Sequence, residues 1–317
     1  MRLISLVPIG TKIDFLRFRK MAAVFSLFLC VASAGMFAAK GLNFGIDFRG
    51  GILIEVRTQG PANMAQLRQS LGGLGLGEVQ LQEFGQPTDV LIRIERQEGG
   101  EKAQLVAVEK AKKALGNEVD YRRTEFVGPK VGGELIEAGV TAVLLALSAM
   151  LIYIWFRFEW QFGVGAVVAL LHDVLLTIGI FALLGLEFNL STVAAILTIA
   201  GYSINDTVVV YDRVRENLRK FKQMPLTELL NLSINATLSR TLLTSVTTLL
   251  ALLALYLFGG EVLRGFSFAM IWGVLVGTYS SIFIAVPLLV YMNLRRTGLI
   301  VGDTDGDDAA EAGKSAN

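Results

Sequence analysis

The sequence predicts a membrane α-helical protein: a bundle of six spans, with one ferredoxin-like α+β domain outside the membrane between the first and second. Three observations predict it. Six apolar runs approach the ~20 residues that a helix rising ~1.5 Å per residue needs to cross ~30 Å of hydrocarbon. Residues 40–133, between the first two runs, have the composition of a soluble domain. Lysine and arginine gather in alternate loops. Across 317 residues, 53% are hydrophobic and only 18% charged, against about 25% charged in a soluble chain. The net charge of +1 gives no case for a nucleic-acid partner. The single cysteine, Cys30, excludes a disulfide framework and a cysteine-based metal site.

Residues 1–20 form a cytoplasmic N-terminal segment, in which Phe15-Leu16-Arg17-Phe18-Arg19 suits a short amphipathic element on the membrane surface. The first span is Met21–Ala39. A cleaved signal peptide with Ala32-Ser33-Ala34 at its end is the competing reading. The apolar run continues to Ala39, which favours a retained anchor.

Within 40–133, Gly51–Thr58 is β-branched and alternating, so it reads as a strand. Pro61–Leu74 has helical spacing; Glu78–Glu83 and Asp89–Arg96 read as strands. Glu101–Leu115 is an amphipathic helix and Glu118–Phe126 a last strand. The order β-α-β-β-α-β is that of a split ferredoxin-like unit. The segment shows no Ser/His/Asp set, phosphate loop or metal cluster, so a binding or hinge module is expected rather than an enzyme.

Residues 134–297 carry spans two to six: Ala138–Phe156, Gly163–Leu184, Leu190–Tyr211, Thr241–Phe258 and Phe268–Tyr291. Arg17, Arg19 and Lys20 precede span one. Arg157 follows span two, Arg213 to Lys222 follow span four, and Arg295 and Arg296 follow span six. The opposite loops hold only Glu187, Glu261 and Arg264. By the positive-inside rule both termini are expected in the cytoplasm and 40–133 in the periplasm. The acidic stretch 298–317 is expected to be disordered.

Charges within spans cost roughly 2.5–3.5 kcal/mol each and usually serve a purpose. His172 and Asp173 lie mid-span; they read either as a proton-relay element or as polar groups that fix packing. Asp206 sits in span four about one and a half turns from its Arg213 border, with Ser203 one turn back. Arg240 begins span five. Thr237, Arg240, Thr241, Thr244 and Thr248 form a polar stripe on one face of it. A carboxylate that takes and releases a proton, beside a cation that favours its charged form, is the inferred machine.

Three motifs then carry a resemblance. Gly45-Ile46-Asp47-Phe48-Arg49-Gly50-Gly51 follows span one, and Val127-Gly128-Pro129-Lys130-Val131-Gly132 precedes span two. In span four, Gly201-Tyr202-Ser203-Ile204-Asn205-Asp206-Thr207 leads into Val208-Val209-Val210-Tyr211-Asp212-Arg213. From about Asp14 to Arg296 the chain resembles the SecF family of the bacterial Sec protein-export machinery, within the resistance-nodulation-division superfamily. The resemblance implies a multi-pass inner-membrane subunit without a cofactor. It implies a partner, SecD, that completes a pseudo-symmetric twelve-helix bundle. It also implies neighbours in the SecYEG channel and YajC, and action on a translocating preprotein through inward proton flow. In that family the acid of span four and the arginine of span five are implicated in proton passage; they fall on Asp206 and Arg240. His172, Asp173, Ser203 and Thr244 are further candidates for the path. Asp47, Gly50, Gly51, Gly128 and Pro129 are motif or hinge candidates. The alternative is a proton-driven exporter of small molecules or lipids from the same superfamily, though such exporters usually carry twelve spans in one chain.

Overall fold

The computed structural model describes residues 8, 11–77, 79–116, 119–127, 129–259, 261–292 and 294. Gly128, Arg295, Arg296 and the acidic segment 298–317 lie outside the described residues. Among the described residues, six helices are long and apolar enough to cross a membrane, and a small α+β domain is inserted after the first.

Asp14 caps a 3-10 turn, Phe15–Phe18, by accepting from the Arg17 amide at 3.1 Å. The turn leads into α1 (Arg19–Lys40). It does not merely lie on a surface as an amphipathic element would: Phe15 and Leu16 are buried in the bundle core. After α1 come a two-residue strand β1 (Asn43–Phe44), a single turn α2 (Ile46–Arg49) and then the domain.

The domain runs β2 (Gly51–Thr58), α3 (Met64–Gly72), β3 (Val79–Phe84), β4 (Gln86–Ile94), α4 (Gly100–Leu115) and β5 (Val119–Val127). All pairings are antiparallel in the order β3-β4-β2-β5. That is the ferredoxin-like arrangement the element order predicts. Period-2 alternation puts Ile52, Ile54, Val56, Val90, Ile92 and Ile94 on one face, where they are buried with Leu71, Ala107, Ala111 and Leu115 of the helices. The opposite face has no helix of its own and carries Glu55, Arg57 and Arg93. Two boundaries differ from the sequence expectation. α3 starts at Met64 because Asn63 is its cap, accepting from the Gln66 amide. β4 starts before Asp89 because Gly85, at φ 69°, turns the chain directly back from β3.

The bundle continues with α5 (Pro129–Arg157), α6 (Trp160–Leu184), a two-residue strand β6 (Glu187–Phe188), α7 (Leu190–Lys220), α8 (Leu226–Phe258) and α9 (Glu261–Ser280). A π turn at Ser281–Ala285 joins α9 to α10 (Val286–Tyr291). The extra residue of the turn sits just before Pro287, which has no amide to donate back. Two helices outrun their apolar segments. α7 passes Tyr211 and ends at Lys220. α8 begins at Leu226 rather than Thr241, because Leu229, Leu230, Ile234 and Leu238 bury a helical stripe ahead of the span.

Close helix contacts depend on small residues. A Cβ on Gly179 would overlap Ser33 of α1, and one on Gly273 would overlap Ile199 of α7. The buried Tyr211 ring packs edge-on to Phe162 at 4.9 Å and donates its hydroxyl to the Ala285 carbonyl at 3.0 Å. The segment before α1 is clasped by α8: Ile13 and Asn235 exchange two bonds of 2.9 and 2.8 Å, and Asn231 donates to Asp14 at 2.7 Å.

Candidate functional site

The polar residues of the spans meet where α6, α7 and α9 cross. Asp173 of α6 is 0% exposed. Its Oδ2 accepts from Ser203 of α7 at 2.5 Å and from Ser280 of α9 at 2.7 Å. Its Oδ1 lies 2.9 Å from Nδ1 of His172. The tautomer of His172 sets which of the two atoms donates. Nε2 is buried with no hydrogen-bond partner. His172 and Asp173, which helical geometry alone sets ~100° apart, thus bond to each other and share one cluster.

Asp206 follows Ser203 by one turn of α7 and is 3% exposed. Among the described residues its Oδ2 has no hydrogen-bond partner. Asp206 and Arg240 form no ion pair within 4.0 Å, and the Arg240 side chain lies on the exposed face of α8. Arg240 does not begin its helix: it lies about four turns inside α8.

Much of the threonine stripe turns back on its own helix. Thr237 donates to the carbonyls of Ser233 and Ile234, and Thr244 to those of Arg240 and Thr241. Ser245, one turn beyond Thr241, faces inward with its hydroxyl 2.8 Å from that of Thr278 and 3.5 Å from that of Tyr202. Sequence reasoning missed Ser245, Thr278 and Ser280. The available signal was Thr278-Tyr279-Ser280-Ser281, four hydroxyl side chains together in an otherwise apolar span.

The motif before β2 lies at the far end of α7. Asp47 Oδ2 accepts from the Leu190 amide at 2.9 Å, so it caps that helix beside Asn189, which holds the Thr192 amide at 3.0 Å. β1 pairs in parallel with β6, and Arg93 of the sheet contacts Glu187. Gly50 and Gly51 have φ of 71° and 123°, open to glycine and strained for other residues. Pro129 is the first residue of α5. Between the open sheet face and this end of the bundle lies a cleft of about 570 Å³, lined by Asp47, Glu55, Arg123, Glu187 and Arg264 among others. Among the described residues no group of three or more His, Cys, Asp or Glu is placed to hold a metal.

Comparison with known proteins decides the family. The model for "Protein export membrane protein SecD/SecF, C-terminal" matches residues 107–295, and that for the "SecD/SecF GG Motif" matches residues 35–62. The protein translocase subunit SecF of Rickettsia bellii is 51% identical over 290 residues, covering 90% of this chain and 95% of that one. The chain belongs to the SecF family. SecF of Cereibacter sphaeroides is 47% identical over 304 residues, covering 93% and 94% of the two chains. The crystal structure of SecDF from Thermus thermophilus, a translocon-associated membrane protein, superposes with a TM-score of 0.83 at 38% identity over 92% of this chain. A second SecDF structure, in a super-membrane-facing form, gives 0.68 at the same identity over 95%. This chain spans 40% of the length of the first and 41% of the second. As a SecF family member it is a membrane subunit of the protein translocase, and the GG motif is the segment that holds Asp47, Gly50 and Gly51.

Proposed function

We propose that the chain, paired with SecD in the bacterial inner membrane, couples inward proton flow to late steps of preprotein export. The reading is carried by one observation: Asp206 is buried in a span with an unpartnered carboxylate oxygen, one turn from the Asp173 cluster. A buried acid lacking a full set of donors is poised to exchange a proton. Asp173, whose Oδ2 accepts from two serines, instead holds three helices together. The length relation to SecDF supports SecD as the other half of a twelve-helix bundle. In the proposed topology both termini are cytoplasmic, the α+β domain is periplasmic, and the complex works beside SecYEG and YajC. Gly50 and Gly51 lie at one root of that domain and Pro129 at the other.

The energy is sufficient. One proton crossing 100 mV supplies ~2.3 kcal/mol, which shifts a two-state equilibrium about 50-fold. Asp206→Asn and Arg240→Met are expected to preserve membrane insertion and association with SecD but to slow release of exported protein. Pulse-chase of a secreted protein in cells carrying only the variant measures this. Wild-type kinetics in either variant would exclude the assigned pathway.

A further inference from the structure

We propose that Asp47 is the positioning residue that ties the α+β domain to the helix bearing Asp206. The inference rests on the proton-driven reading above and names the part that carries motion out of the bundle.

The first amides of a helix have no partner within it. At the start of α7, Asn189 takes the Thr192 amide, and Asp47 takes that of Leu190 from 143 residues away in sequence. A carboxylate there also lies favourably along the dipole of a long helix. The bond does not stand alone. The Gly45 amide donates to the Phe188 carbonyl at 2.8 Å, and Asn43 and Phe44 pair with Glu187 and Phe188. The Phe44, Phe48 and Phe188 rings lie about 6 Å apart. A Cβ on Gly45 would sit 2.6 Å from Glu187 Oε1 and 3.3 Å from the Asn189 Cβ, so glycine there leaves room for the Glu187 side chain. Immediately beyond this tether the chain passes through Gly50 and Gly51 into β2.

α7 is unbroken from Leu190 to Lys220, and Asp206 lies sixteen residues from the capped end, or ~24 Å along the axis. A helix of this length moves as a rod. A tilt or axial shift of α7 set off at Asp206 displaces Leu190, and Asp47 with it. A domain held only through the glycine pair would not follow.

The test uses the full chain reconstituted with SecD in vesicles, with a dye pair on azide-bearing side chains at Glu109 of the domain and Leu257 of α8. An imposed proton gradient is expected to change the dye separation in the wild type and not in Asp206→Asn. Asp47→Ala is expected to lose at least half of the change while proton uptake stays within about twofold of wild type. Asp47→Asn, whose amide oxygen can accept the same bond, is expected to keep it.

A second chain guards against failed assembly. It carries Asp47→Ala with Asn43→Cys and Glu187→Cys, joined as a disulfide across the paired strands during assembly. The separation should respond to the gradient while oxidised and stop responding after reduction. Asp47→Ala, or the reduced chain, moving like wild type would overturn the tether alone. Motion that survives Asp206→Asn but not Asp47→Ala would support the tether and exclude the proton pathway. No motion in the wild type would overturn both.

Discussion

Ser203 donates to the Asp173 carboxylate at 2.5 Å across the α6–α7 contact, one turn before Asp206 on the same helix. The bond fixes the register of the helix that bears the unpartnered acid. Ser280 anchors α9 to the same oxygen immediately before the π turn, so one carboxylate sets the relative height of three helices.

Removing that acceptor should therefore act on stability before function. Asp173→Leu removes the partner of Ser203 and of His172, while Ser280 keeps the Gly277 carbonyl at 3.1 Å. A buried unsatisfied group costs about 1–3 kcal/mol, and polar pairs within membranes average about 0.6 kcal/mol. A total loss of roughly 2–5 kcal/mol is expected, with Asp173→Asn milder because one oxygen remains. Thermal unfolding of the purified chain in detergent, followed by size-exclusion recovery, separates the two.

Arg240 makes no direct ion pair with Asp206, so in the proposed pathway its charge should matter more than its fork. Arg240→Lys keeps a positive charge and is expected to hold export within about threefold of wild type, whereas Arg240→Met should slow it by ~10-fold or more. Pulse-chase rates of the two variants give the ratio. Equal loss in both would show that guanidinium geometry is required.

The domain carries its own acid-sensitive pair. Asp89 accepts from Arg57 at 2.6 and 2.7 Å, opposite it in the β2–β4 register. The Arg57 guanidinium holds the Asp89 carboxyl below its ordinary value of 3.8. A depressed carboxylate stabilises the fold at pH above its unfolded value, and the contribution is lost as pH falls through the folded one. Hydrogen exchange in β2 and β4 of the full chain should accelerate below about pH 4. Asp89→Asn should abolish that dependence and leave exchange fast at every pH.

The α7–α9 contact is set by Gly273 against Ile199. Gly273→Ala should cost about 1–3 kcal/mol through overpacking. Ile199→Ala in the same chain should recover part of it, a coupling that a double-mutant cycle reads directly. Additive losses would mean that the helices separate rather than strain.

Much of the fold was legible because its signals are local. Apolar run length gave the six spans, and alternation gave the β-α-β-β-α-β order. Helix ends in α7 and α8 were not, because a hydropathy limit marks the edge of hydrocarbon, whereas helix continues wherever an amphipathic stripe finds partners. Of the site, Asp173 and Asp206 stood out as charges in apolar runs. Their difference did not, since which acid is saturated depends on Ser203 and Ser280 arriving from other helices. Serine in a span raises no alarm, as its hydroxyl can always bond its own helix. Asp47 was visible only as part of a motif, and its bond to Leu190 crosses 143 residues that no pattern links.

The clasp between Ile13 and Asn235 joins positions 222 apart. At about 5–20 residues per second, the ribosome needs on the order of ten seconds or more to make the second half of that joint after the first. Through that interval the leading helix has no mate for its entry segment, and the Phe15 side chain has no core to occupy. Fastening of the Ile13 segment thus waits on the fifth helix, and a chain stalled before Asn235 leaves that joint open.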